Sequence, residues 1–129
     1  MVLDTSALLA LLLDEPEAEE FRAAVEEDAS RLVSAANLLE AALVIEARKG
    51  EPGGRALDAL IQKAEVVVVP VDAEHVSEAR RAYRRFGKGR HAAALNFGDL
   101  FAYALARTSG EPLLFKGDDF AKTDVSRVT

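Results

Sequence analysis

Apolar positions along the chain fall into a few short runs separated by stretches with helical spacing. Met1 to Leu3 is a short apolar strand, and the Asp4-Thr5-Ser6 that follows supplies capping residues for a helix from about Ala7 to Leu13. Asp14 and Pro16 open a second helix with Phe21 and Val25 on its apolar side. Arg31 to Ser34 forms a second short strand, and Ala35 to Lys49 a helix ended by Gly50. The next helix runs from about Gly54 to Ala64. Glu65 to Val71 contains the continuous β-branched run Val66 to Val69, the pattern expected of a strand covered on both faces. Asp72 caps a helix reaching about Phe86, and after a loop with glycines and basic residues another helix spans about Phe97 to Arg107. Pro112 to Phe115 is a fourth strand, with a weak fifth at Ser126 to Thr129.

Strands alternating with helices predict a three-layer α/β/α domain, with a mainly parallel central sheet of four to five short strands and a site at their carboxyl ends. At 129 residues, with no repeat or linker, the chain fits a single domain over 1–129. The absence of cysteine excludes disulfides, thiolate nucleophiles and zinc-thiolate sites, so any metal must sit on oxygen or imidazole. The apolar run Met1 to Leu13 is interrupted by Asp4, lacks a basic leader and is too short for a membrane span. A cytoplasmic protein without membrane contact is expected.

A formal net charge of -6 opposes non-specific nucleic-acid binding, which depends on Lys and Arg contacts with phosphates. The charge is uneven, however. Acids crowd Asp14 to Asp28, whereas Arg80, Arg81, Arg84, Arg85, Lys88 and Arg90 share one short stretch.

Asp4 ends the first strand, where an open parallel sheet places ligand-facing residues; capping the next helix is an equal alternative. Glu40 has Ala36, Asn37, Leu43 and Val44 at helical spacing, a mostly apolar face. A carboxylate there needs a partner, a metal or a route to water. Asp99 lies in the first turn of its helix, with Asn96 available as N-cap, so helix capping alone also accounts for it. Asp118 and Asp119 follow Gly117 just after the fourth strand, in what is otherwise an ordinary Gly-Asp turn. Convergent carboxylates repel one another and are stable when ionised only if divalent cations neutralise them, and hard oxygen ligands favour magnesium or manganese.

These residues carry a family resemblance. The opening Met1-Val2-Leu3-Asp4-Thr5-Ser6, the helix with Glu40, Asn96-Phe97-Gly98-Asp99 leading into Leu100 to Ala106, and the closing Leu113 to Phe120 resemble a PIN domain, specifically a VapC-type toxin. The resemblance covers nearly the whole chain. It implies a magnesium- or manganese-dependent endoribonuclease, held inactive by a cognate antitoxin and forming a homodimer. Asp4, Glu40 and Asp99 match the family's three central acids. Either Asp118 or Asp119 matches the fourth, and Asp118 is preferred because Gly117-Asp118 directly follows the strand.

On this reading Asp4 and Asp99 are the principal metal ligands, Glu40 a ligand or an orienter of the attacking water, and Asp118 an outer ligand. Thr5 and Ser6 are candidates for contacting RNA phosphate or for capping the helix, and Arg80, Arg84 and Arg85 are candidates for guiding its backbone. His75 and His91 stand in unlike contexts and do not suggest a histidine pair. A phospho-accepting receiver domain fits poorly, because the first strand offers only one acid. A PIN-like module that only binds is disfavoured by the presence of all four acids.

Overall fold

The computed structural model describes residues 1–129. Four short strands, β1 (Val2–Leu3), β2 (Leu32–Ser34), β3 (Val67–Val69) and β4 (Leu113–Leu114), form one sheet in the order β3-β2-β1-β4. Every pairing is parallel, with Val2 beside Leu32 and Leu113, and Val33 beside Val68. The sequence between the strands folds into α1 (Thr5–Leu12), α2 (Ala18–Glu27), α3 (Ala35–Lys49), α4 (Glu51–Lys63), α5 (Ala73–Phe86) and α6 (Phe97–Ser109). The result is the expected three-layer α/β/α arrangement.

The period of two along the strands sorts the core into two layers. Leu3, Val33 and Leu114 pack with α1 to α4, burying Leu8, Phe21, Ile45 and Leu57. Val2 and Leu113, one residue out of phase, pack on the other face with α5 and α6, against Phe86, Tyr103 and Leu105. β1 is thus buried on both faces and flanked on both edges, a firmly held place from which to present a functional side chain.

Several boundaries shift for identifiable reasons. Asp4 itself caps α1, so that helix starts at Thr5 rather than Ala7. α4 begins at Glu51, not Gly54, because Pro52 sits in the first turn, where its missing N–H costs nothing. The valine run does lie in a parallel strand, but not in one covered on both faces: Val67 and Val68 are 57% and 40% exposed, since β3 is the edge of the sheet. The fifth strand reduces to a single parallel bridge between Arg127 and Leu113. No helix is long and apolar enough to cross a membrane.

Candidate active site

β1 ends where the Asp4 N–H donates to Leu114 O at 3.0 Å, after which the chain turns into α1. The side chain of Asp4 is held from its own helix: Oδ2 accepts the Ser6 N–H at 3.0 Å and the Ser6 hydroxyl at 2.6 Å. Ser6 Oγ in turn accepts the Lys116 N–H at 2.9 Å, fastening the exit of β4 to the same carboxylate. Asp4 is only 4% exposed. Burial pushes its pKa up from 3.8 to about 6, against the two Ser6 hydrogen bonds that lower it, with Asp99 and then Glu40 adding repulsion.

Glu40 reaches the cluster from α3. Its Oε1 accepts the Thr5 hydroxyl and, at 3.4 Å, Asn37 Nδ2. Asn37 is fully buried, and the same amide donates to Gly98 O at 2.9 Å, tying α3 to the first turn of α6. Gly98 is required by this contact, because a Cβ there would lie 2.2 Å from Glu40 Oε2. Neither Asn37 nor Gly98 stands out as functional in the sequence. The available signal is a glycine inside a helical pattern, which often marks close approach of another group.

Asp99 performs both tasks open to it. Its Oδ2 accepts the Asn96 N–H at 3.0 Å, completing a capping box in which Asn96 Oδ1 accepts the Asp99 N–H. Its pKa is raised, first by burial, and then, against the Asn96 hydrogen bond, by Asp119 and Glu40. The fourth acid within electrostatic reach is therefore Asp119. Asp118, preferred from its place after the strand, instead lines a separate hollow with Glu17, Glu20, Lys116 and Arg127. The physical reason is the turn: Gly117 takes φ +101°, and Phe120 buries against Phe115 with ring centroids 5.2 Å apart, which fixes how the two acids are presented.

The other candidates are redistributed. Thr5 is buried, and the hydroxyls of Thr5 and Ser6 are committed to Glu40 and Asp4, so both orient carboxylates rather than face an RNA strand. Arg80 and Arg84 share a hollow between α5 and α6, but Arg85 does not, pairing instead with Asp124 at 3.2 Å. Neither histidine belongs to the cluster: His75 contacts Thr108, and His91 Nδ1 accepts the Ala93 N–H.

One oxygen each of Asp4, Glu40 and Asp99 is thus tied to the fold, while Asp4 Oδ1, Glu40 Oε2 and Asp99 Oδ1 accept nothing from the protein. No Lys or Arg forms an ion pair with any of the three. No three acidic or imidazole side chains meet closely enough to chelate one ion by themselves. Such a donor set fits a hard divalent cation that keeps most of its water and touches one or two carboxylates, the habit of magnesium.

A family profile for the PIN domain matches residues 1–126. The chain is 61% identical to ribonuclease VapC30 of Mycobacterium tuberculosis over 128 residues, covering 99% of this chain and 98% of that protein. It is 59% identical to ribonuclease VapC of Mycolicibacterium smegmatis, covering 99% of each. The fold superposes on that of Mycobacterium tuberculosis VapC20, a sarcin-ricin loop cleaving toxin, with a TM-score of 0.78 at 20% identity, over 96% of this chain and 95% of that one. VapBC2 from Rickettsia felis, bound to a DNA fragment from its promoter, gives a TM-score of 0.76 at 12% identity, over 98% and 94% of the two chains.

Proposed function

The chain belongs to the PIN-domain family, as a VapC-type ribonuclease toxin of a toxin-antitoxin pair, and from that premise we propose that magnesium or manganese at Asp4, Glu40, Asp99 and Asp119 makes it a metal-dependent endoribonuclease. The observation that carries this reading is that Asp4, Glu40 and Asp99 lie within electrostatic reach of one another around the end of the central strand, with no ion-paired Lys or Arg among them. A bound cation would neutralise the cluster, acidify an attacking water and stabilise the leaving oxygen.

The residues of the chain prepare that chemistry. Ser6 holds Asp4 from one side, and the Asn96 capping box holds Asp99 from another. Glu40, fixed through Oε1 by Thr5 and Asn37, keeps Oε2 to accept a proton from the attacking water and so orient it. No side chain needs to act as a nucleophile, in keeping with a chain that has no cysteine.

Incubation with transfer and ribosomal RNA should give cutting that requires magnesium or manganese and disappears with chelator; cutting that survives chelation would overturn the metal assignment. Within the same assay Asp119→Asn should slow cutting by about 10- to 100-fold, the usual cost of disturbing a group close to a metal. Asp118→Asn should leave the rate within about twofold, since Asp118 faces elsewhere. The reverse order would return the fourth position to Asp118.

Control follows from the same electrostatics. A partner segment presenting Arg or Lys among apolar residues would dock over the carboxylates and replace the cation's charge, and this is the part we assign to the antitoxin. Exposed Leu39 and Leu43 on α3 offer an apolar face for a second copy of the chain, which completes the homodimer reading. Expressed alone the chain should arrest growth, while the Asp4→Asn variant, or co-expression with the adjacent reading frame, should not. Equal growth in all three cases, with protein present, would remove the toxin role.

A further inference from the structure

Asp99, Tyr103 and Arg107 recur at intervals of four along α6 and so share one face of the helix. The chain that follows β4 returns along this face. Asp119 stands within electrostatic reach of Asp99, in the first turn. Further along, Asp124 meets the other two: its Oδ1 accepts the Tyr103 hydroxyl at 2.5 Å, and its Oδ2 lies 3.8 Å from Arg107 Nη1. Arg85 reaches the same oxygen from α5 at 3.2 Å. One carboxylate thus fastens the closing segment to both helices of that layer.

The link between Asp119 and this anchor has little room to stretch. Thr123 closes the single helical turn Phe120–Lys122, its N–H and its hydroxyl both donating to Phe120 O, at 3.0 and 2.7 Å. Thr123 Oγ1 also accepts the Val125 N–H at 3.3 Å, across Asp124. Beyond that, Ser126 O and the Val128 N–H pair with Leu113 of β4. Phe120 is buried as well, but apolar burial is non-directional and does not fix position along a helix. A hydrogen bond from a hydroxyl to a carboxylate is directional and does fix it. Tyr103 is only 3% exposed, so its bond carries more of the hold than the two half-exposed arginines, which water and salt screen.

We infer that Tyr103 and Asp124 are positioning residues for RNA cleavage: by bonding to each other they set where Asp119 stands against Asp99, without touching metal or substrate themselves. This rests on the reading of Asp119 as the fourth acid. Asp119 is exposed and forms no ion pair of its own, so its place depends on how its segment is held. Disturbing a group that orients a metal site from outside typically costs about 10- to 100-fold in metal affinity or rate.

A double-mutant cycle on the full chain tests this, with two readouts: the kinetics of RNA cutting in magnesium, and manganese binding followed by the electron paramagnetic resonance of the free ion. Tyr103→Phe keeps the ring that packs against Phe86, with centroids 5.9 Å apart, and removes only the hydroxyl. It should lower kcat about tenfold with KM within about twofold, and weaken manganese binding. Asp124→Ala unfastens the segment from the other side, should give the same pattern, and serves if Tyr103→Phe does not fold. In the Asp119→Asn background neither change should slow cutting or weaken manganese binding further, because the group they position has lost its charge. Arg127→Ala loses the guanidinium lying 4.7 Å over Phe115, which holds the same segment beyond the anchor; it should lower the Tm and leave kcat within about twofold. Losses that multiply in the Asp119→Asn background would overturn the inference, as would unchanged cutting and manganese binding in Tyr103→Phe and Asp124→Ala. If Asp119→Asn itself cuts at the wild-type rate, the fourth-acid reading falls and takes this inference with it.

Discussion

Replacing Asp4 by Asn is expected to lower RNA cleavage by about 10³-fold or more while making the metal-free protein more stable. The loss follows from removing the most buried charge of the site to which we assign the cation, whose charge stabilisation would be worth several kcal/mol. The gain has a separate origin. Folding raises the Asp4 pKa from 3.8 to about 6, so the folded chain holds a proton there more readily than the unfolded one. Stability from this group is complete below about pH 4 and is lost as pH rises through about 6, leaving a deficit at neutral pH. Asn carries no charge to repel Asp99 and Glu40, and its oxygen still accepts from Ser6, preserving the helix cap. An increase of about 1–3 kcal/mol at pH 7 is expected, shrinking towards pH 4. Thermal melts across that pH range test it. Magnesium should raise the Tm of the wild type more than that of the variant, and a variant that melts lower than wild type at pH 7 without metal would contradict the account of Asp4.

Gly98→Ala is expected to lower activity while leaving stability nearly unchanged. The added methyl would occupy the place of the Glu40 carboxylate, 2.2 Å from Oε2 and 2.8 Å from Cδ. What must give is the end of a long side chain, not backbone, so the fold absorbs the change. Alanine also favours the helix by about 0.5–1 kcal/mol over glycine, offsetting the repacking. Glu40 nevertheless has to leave the position held by Thr5 and Asn37, and a displacement of about 1 Å at a reacting group costs about 100-fold in rate. The expected protein melts within about 1 kcal/mol of the wild type and cuts RNA about 100-fold more slowly. Cleavage at the wild-type rate would mean that Glu40 does not need its present position.

Local pattern carried much of this molecule. The acids at Asp4 and Asp99 were legible because each stands next to an element boundary that sequence marks clearly: an apolar strand before one, an Asn cap before the other. Parallel strands were legible from their alternation with helices. What local pattern does not contain is the neighbour on the far side. The valines of β3 read as a covered strand because β-branched runs look alike wherever they sit, and only the strand order makes this one an edge. Asp118 and Asp119 differ by one residue in a turn, and which of them acts on Asp99 depends on the positive φ of Gly117 and the burial of Phe120. Arg84 and Arg85 likewise separate only once Asp124 is known to lie against one of them. Asn37 was noted merely as a neighbour of Glu40, because its partner Gly98 lies 61 residues further along the chain.

The sheet order also sets a schedule. β1 carries Asp4 but takes β4 as its neighbour, and the bonds that place the carboxylate run from Asp4 N–H to Leu114 O and from Lys116 N–H to Ser6 Oγ. Neither bond can exist until residues 114 and 116 have been synthesised. At about 5–20 residues per second, that is roughly 5–20 s after Asp4 itself was joined to the chain. Throughout that interval the growing polypeptide already contains Asp4, and later Glu40 and Asp99, without the strand that locks them together. A ribosome making this enzyme is thus exposed to no finished cutting site until translation has passed the last of the four strands.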